Sequence, residues 1–294
     1  MSIRPAQLPR MRRQFLDHLD GPASALRKGT SENTQDGLDE LASNLRVADL
    51  YWVAPEMAAL AMSAGSQLAA ARWAIADRPS PCGLLWWADG IGAVDTRGVQ
   101  IPIEGCVWGP HKGELMLWLL MSRRRLQAEM AAGGRGLTLV EDEVPPMIPV
   151  LGDTVPVTAE PVSLASLGDG LPGPIVAALA AAWLLMQQPV LVEQSMVRPS
   201  AGEARSLARA GQGDPAVTVT ALRRQYVPGA GDAAEGTDVA GRRYRHRWVV
   251  SGHWRNQAHG PGRSLRRQTW VPAYVKGPDG APLLSTERVN VWRR

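Results

Sequence analysis

The chain has 294 residues, 45% of them hydrophobic and 20% charged, proportions of a soluble globular protein that exclude wholesale disorder and fibrous or collagen-like architectures. At about 100–200 residues per domain the length predicts two folded units. The net charge of +4 is divided unevenly: residues 1–241 carry 20 Lys or Arg against 26 Asp or Glu, net −6, whereas residues 242–294 carry 12 against 2, net +10.

Residues 1–46 are polar and broken by Gly21-Pro22, Gly29-Thr30-Ser31 and Gly37, which predicts a loosely ordered arm with one or two short helices. The first twenty residues contain basic side chains but no uninterrupted apolar run of the kind a secretory signal needs, so a cytoplasmic location is expected. From Pro55 to Ala76, Met57, Leu60, Ala61, Ala64 and Leu68 follow the stripe of an amphipathic helix, which Pro79 and Pro81 stop. Three short apolar segments follow, Gly83 to Ala88, Val99 to Trp108 and Glu114 to Met121. With turns at Asp89-Gly90 and Gly109-Pro110 they predict an antiparallel meander, although the third also fits a helix. Beyond Arg123-Arg124-Arg125 and Gly133-Gly134, the five prolines between Val144 and Pro161 predict a loop.

Pro174 to Gln188 reads as a helix opened by Pro174 and closed by Pro189. Its apolar run, Ile175 to Met186, is 12 residues long, short of the roughly 20 that cross a bilayer, so it is expected to be a buried helix and the protein to have no membrane partner. Ser200 and Glu203 have capping-box spacing, Gly211 is placed to end the helix, and Leu207 supplies only a thin apolar face. Val217 to Tyr226 and Arg243 to Ser251 are expected to form a long hairpin across the loop Pro228 to Gly241. Further strands are expected at Gln268 to Val275 and Arg288 to Trp292, with turns at Gly260-Pro261-Gly262 and Gly277-Pro278-Asp279-Gly280.

The predicted fold class is α+β. A polar arm (1–46) precedes an α+β unit of helices on a short antiparallel sheet (47–195); a surface helix (196–212) then leads to a basic, Trp-containing antiparallel β module (213–294).

The two cysteines, Cys82 and Cys106, match no CxxC spacing, which excludes a disulfide scaffold and a thiolate zinc site. No GxGxxG, P-loop, GxSxG or HExxH pattern occurs, so no cofactor is expected. The richest constellation is Tyr244 to Gln257, where His246, His253 and His259 fall within 14 residues of one another. No carboxylate lies among them and the spacing fits no ligand signature, so no metal site is expected. On a continuous strand, Tyr244, His246, Trp248, Val250 and Trp254 share one face and Arg245, Arg247, Val249, His253 and Arg255 the other, unless Gly252 marks a bulge that exchanges them. Arg263, Arg266 and Arg267 from the neighbouring turn and Lys276 are expected to join the cationic face.

Arginine forks suit phosphate, and exposed Trp or Tyr stack on unpaired bases. The expected function is therefore nucleic-acid binding without catalysis, single-stranded or flexible nucleic acid being favoured, through Arg245, Arg247, His253, Arg255, Arg263, Arg266, Arg267 and Lys276. Two rivals use the same residues. One is a toxin-like ribonuclease, with His253, Arg255 and His246 as catalytic candidates and His259 as another acid–base group. The other is an interaction protein whose basic strands meet an acidic protein partner. The alternative of structural tryptophans assigns Trp248, Trp254 and Trp270 to a small core.

Leu50 to Met57, Arg78 to Gly83, Trp183 to Pro189, and above all Tyr244 to Gln257 continued by Trp270 to Pro278, resemble a family of uncharacterised proteins common in actinobacterial genomes, plasmids and actinophages. The resemblance runs from about residue 47 to the end, and its signature is the block R-H-x-W-V-V-x-G-H-W-R-N-Q. It implies a setting in phage or plasmid biology and assigns no catalytic residue.

Overall fold

Leu8, Arg12, Phe15 and Leu19 fall on one side of α1 (Leu8–Asp20), and Leu38, Leu41, Ala42 and Leu45 on one side of α2 (Glu32–Val47); all are buried. The computed structural model describes residues 3–21, 26–27, 30–68, 77–96, 98–133, 139, 143–155, 170–211, 216–223 and 248–276. The chain divides into two compact units, Met1–Arg223 and Arg224–Arg294.

The amino-terminal segment is therefore not a loose arm. Its polar composition conceals two narrow apolar stripes, each enough to fasten a helix of three to four turns onto a sheet. Ser31 caps α2 by accepting a hydrogen bond from the Thr34 amide at 3.3 Å. The buried Arg12 guanidinium donates to the Ala48 carbonyl at 2.9 Å, and burial lowers its pKa.

After α2 come β1 (Asp49–Val53), α3 (Pro55–Gly65), β2 (Gly83–Trp87), a small hairpin of β3 (Ala93–Thr96) and β4 (Val99–Pro102), β5 (Gly105–His111), β6 (Glu114–Ser122), α4 (Arg123–Ala132), β7 (Met147–Val155), α5 (Gly173–Met186), β8 (Val192–Val197), α6 (Ala201–Arg209) and β9 (Val217–Leu222). The mixed sheet has seven strands in the order β7-β6-β5-β2-β1-β9-β8. β1 runs parallel to both β2 and β9, and α3 lies in the crossover from β1 to β2; every other pairing in the sheet is antiparallel.

The fold is α+β, but its sheet is larger than the short antiparallel one expected. Three local readings gave way to distant pairings. The predicted segment Val99 to Trp108 splits into β4 and β5, and the β5–β6 turn falls at Lys112-Gly113, both in the left-handed region (φ 48° and 86°), with Gly109-Pro110 inside the strand. The proline-rich stretch contains β7: it is an edge strand, and Pro149, which has no N–H to donate, sits where the register with β6 slips beside Leu119/Leu120. Val217–Leu222 is not an arm of a carboxyl-terminal hairpin; it lies between β1 and β8 in the amino-terminal unit.

Strand pleating separates two buried layers. Leu50, Leu84, Trp86, Val107, Leu120 and Val217 pack with α1 and α2. Their alternating neighbours include Tyr51 and Trp108, whose rings stack with centroids 5.7 Å apart; Trp108 also meets Trp183 of α5 edge-on at 5.1 Å. Trp108 Nε1 donates to the Ser80 carbonyl at 2.9 Å. α5, apolar on all sides, packs against α3 at Gly65, where a Cβ would stand 2.8 Å from the backbone of Ala177 and Ala178.

A recurring device sets the tryptophans into this sheet. Gly83 is opposite Trp108, Gly105 opposite Trp86, and Gly152 opposite Trp118. In each pair the indole lies over the glycine, where a Cβ would overlap the ring.

Candidate nucleic-acid interface

The described part of the carboxyl-terminal unit contains β10 (Trp248–Val250), β11 (His253–His259), β12 (Leu265–Val271) and β13 (Tyr274–Lys276). β10 pairs with β13 and β11 with β12, both antiparallel. The partner of β10 is thus β13, not the segment around Val217. Val250 stands opposite Tyr274 and His253 opposite Val271, so the registers on the two sides of the gap are in phase. The four strands make two separate two-stranded ladders, linked through Ser251-Gly252 on one side and Pro272-Ala273 on the other. Pro272 offers no N–H there, and a Cβ on Gly252 would reach 2.6 Å from the Trp270 ring. Two residues stand unpaired on each side, so Gly252 adds no residue without a counterpart.

The register decides which residues share a face. His253, Arg255, Gln257 and His259 lie with Val271, Thr269, Arg267 and Leu265. Trp254, Asn256 and Ala258 lie on the other face with Trp270, Gln268 and Arg266. The expected division into an aromatic and a cationic face does not hold: Arg255 and Arg267 stand on one side, while Arg266 stands on the side of Trp254 and Trp270. Trp270 is buried and Trp254 meets it edge-on, centroids 5.3 Å apart. These two rings are spent on each other rather than offered as a platform for bases.

Exposure separates the candidates further. Arg263, Arg266, Arg267 and Lys276 are exposed, whereas His253, Arg255 and His259 are half-buried, with Arg255 Nε and His259 Nδ1 shielded from solvent. His253 Nδ1 lies 3.1 Å from the Ser251 carbonyl. Arg245, Arg247 and His246 lie outside the described residues. His253 and His259 are six residues apart on one strand, roughly 20 Å at about 3.4 Å per residue, too far to act as acid and base on one phosphate. The described geometry does not assemble a ribonuclease centre from that pair.

The exposed arginines gather at the ribbon tip. The loop Gly260-Pro261-Gly262-Arg263-Ser264 closes through Arg263 N to Gly260 O (3.0 Å), Ser264 N to Pro261 O (3.3 Å) and Ser264 Oγ to Pro261 O (3.0 Å). Gly260 and Gly262 take φ of 76° and 61°, and Arg263 takes 57°, a left-handed conformation that costs a side-chain-bearing residue about 1–2 kcal/mol. Residues 248–276 contain five Lys or Arg and no Asp or Glu, so no carboxylate within the ribbon can neutralise the tip. The strained backbone of Arg263 is not legible in the local sequence, whereas the opposite faces of Arg266 and Arg267 follow from strand alternation once Leu265–Val271 is a strand.

Elsewhere, the thiols are poorly placed for nucleophilic chemistry. Burial pushes the Cys106 thiol far above its usual range, and burial also raises that of Cys82. At pH 8, Cys82 is expected to react with a disulfide reagent more slowly than a free thiol, and Cys106 only after unfolding; rapid release of two equivalents from native protein would contradict this. Among the described residues no group of three His, Cys, Asp or Glu is arranged to hold a metal ion, and no helix is long and apolar enough to cross a membrane.

Compared with models of known protein families and with curated proteins, the chain finds no match to either.

Proposed function

We propose that the protein binds nucleic acid through the tip of the β11–β12 ribbon, with Arg263, Arg266 and Arg267 as the phosphate-binding residues and no catalytic step. The observation that carries this reading is the grouping of three exposed arginines within five residues on a tight, internally hydrogen-bonded turn, in a stretch without a carboxylate. Arg266 and Arg267 project to opposite faces, so the tip can straddle a phosphate backbone or enter a groove between two, with Arg263 leading. Guanidinium forks donate paired hydrogen bonds to phosphate oxygens, and the released counterions drive binding. Arg255 and Lys276 extend the positive field along the ribbon, and Arg245 and Arg247 adjoin it in sequence. The pairing of Trp254 with Trp270 favours phosphate contacts over base stacking as the source of affinity. A role in phage or plasmid biology follows from the family resemblance alone.

The test is the salt dependence of binding to labelled oligonucleotides. Three phosphate contacts predict that log K falls with log salt at a slope of about −2 on single strands and about −3 on duplex. A flat response on both overturns the reading, and the form bound more tightly at one salt concentration is the preferred nucleic acid.

A further inference from the structure

A second concentration of arginine lies in the amino-terminal unit, in a groove between α1, α4 and α6. Two adjoining hollows of about 430 and 480 Å³ share Arg10, Gln14 and Glu203. The first is also lined by Arg123, Arg124 and Gln127 of α4, and the second by Arg13 of α1. Arg10, Arg13, Arg123 and Arg124 thus line the two hollows beside one lining carboxylate, Glu203, with Arg13 also ion-paired to Asp17 at 3.7 Å, within a stretch of chain, residues 1–241, whose net charge is −6. Positive potential of this kind, standing against the charge of its surroundings, is what concentrates an anionic ligand.

We propose that this groove binds a phosphate-bearing small molecule of nucleotide size, with Arg10 as the principal phosphate ligand. Arg10 makes no hydrogen bond or ion pair among the described residues, although it lines both hollows. Its neighbours are held in place: Arg13 Nη1 donates to Ser206 Oγ at 3.1 Å, and Arg123 Nη1 to the Val144 carbonyl at 2.7 Å. The rest of the lining suits the body of such a ligand. The side-chain amides of Gln14 and Gln127 have no partner among the described residues, and each offers both a donor and an acceptor. The Glu203 carboxylate is placed to accept from a hydroxyl or amino group, and Ile3, Met11 and Pro146 supply apolar contact. Hollows of several hundred Å³ with a few convergent polar groups are the usual dimensions of small-ligand sites. The carboxylate also discriminates: it repels bare phosphate and rewards a ligand that brings a donor beside its phosphate.

Calorimetric titration of the full chain with adenosine monophosphate, inorganic phosphate and adenosine tests this site. The nucleotide is expected to bind saturably and more tightly than phosphate, and adenosine not to bind. Arg10→Glu is expected to weaken the nucleotide about tenfold or more, and Arg10→Gln less. Arg209→Glu, an exposed change on α6 away from the groove, should leave binding unchanged. Arg10 is exposed, so circular dichroism should show both variants folded. Absence of saturable heat with the nucleotide, phosphate bound more tightly than the nucleotide, or Arg10→Glu binding like the wild type overturns the proposal. Because inorganic phosphate and the nucleotide can also meet the tip arginines, the titration is repeated on the Arg263→Glu, Arg266→Glu, Arg267→Glu protein: nucleotide binding is expected to persist there whether or not oligonucleotide binding is lost, and its disappearance overturns the groove site.

Discussion

Trp108→Ala is expected to destabilise the amino-terminal unit by about 3–5 kcal/mol, a large part of the roughly 5–15 kcal/mol that holds a domain folded. The ring is wholly buried and joins the sheet to the α3/α5 layer. It stacks on Tyr51, meets Trp183 edge-on, covers Gly83 and donates to the Ser80 carbonyl. Truncation leaves a cavity between two layers that cannot close independently, because the β2–β5 ladder fixes one wall and α5 the other. It also strips the Ser80 carbonyl of its donor. Trp108→Phe keeps most of the volume and loses the hydrogen bond, so about 1–2 kcal/mol is expected. The converse change, Gly83→Ala, puts a methyl into the space the indole occupies and is expected to cost about 1–3 kcal/mol. Urea unfolding followed by circular dichroism measures all three. A Trp108→Ala protein within about 1 kcal/mol of wild type would show that the ring does not bridge the layers.

The combined variant Arg263→Glu, Arg266→Glu, Arg267→Glu is expected to weaken oligonucleotide binding by two orders of magnitude or more and to bring the salt slope close to zero, since each phosphate contact contributes about 0.9 to the slope on duplex. Folding should survive, because all three side chains are exposed and the turn is closed mainly through backbone groups and Ser264, with one long bond from Arg266 Nη1 to the Arg263 carbonyl (3.4 Å) lost in the variant. Arg263→Gly separates backbone from charge. Glycine occupies φ 57° without penalty, so the ribbon should gain up to about 1 kcal/mol while its affinity for nucleic acid falls. Arg255→Gln, on the half-buried His/Arg face, should change the slope little. If it matches the combined variant while Arg263→Gly binds normally, the interface is the strand face and not the tip.

How much of this was legible in the sequence depended on how local the determining interactions are. Pro55–Gly65, Gly173–Met186 and Ala201–Arg209 are helices for reasons contained within a few residues: proline in the first turn of the first two, and for the third a serine whose hydroxyl accepts from the Glu203 amide at 3.4 Å. The ribbon turn at Gly260-Pro261-Gly262 is likewise written in its own glycines. The seven-stranded sheet is not, since β1 unites strands that begin at Gly83 and Val217, and no property of Asp49–Val53 names those partners. The Arg10 groove also draws on three helices far apart in the chain, and its residues look in sequence like ordinary solvated charges.

The order of residues alone determined the charge segregation, the apolar helix that forms the far layer and the absence of acid between Trp248 and Lys276, because these are sums over neighbouring side chains. Only the tertiary structure decided that the polar amino-terminal segment closes the core, that Trp254 and Trp270 occupy each other, and that Arg266 shares their face. A one-residue change of register would have placed Arg266 beside His259 and Arg255 instead of beside the tryptophans. That register is set by pairing across the turn and by the ring that Gly252 admits, contacts that exist only once the hairpin has closed.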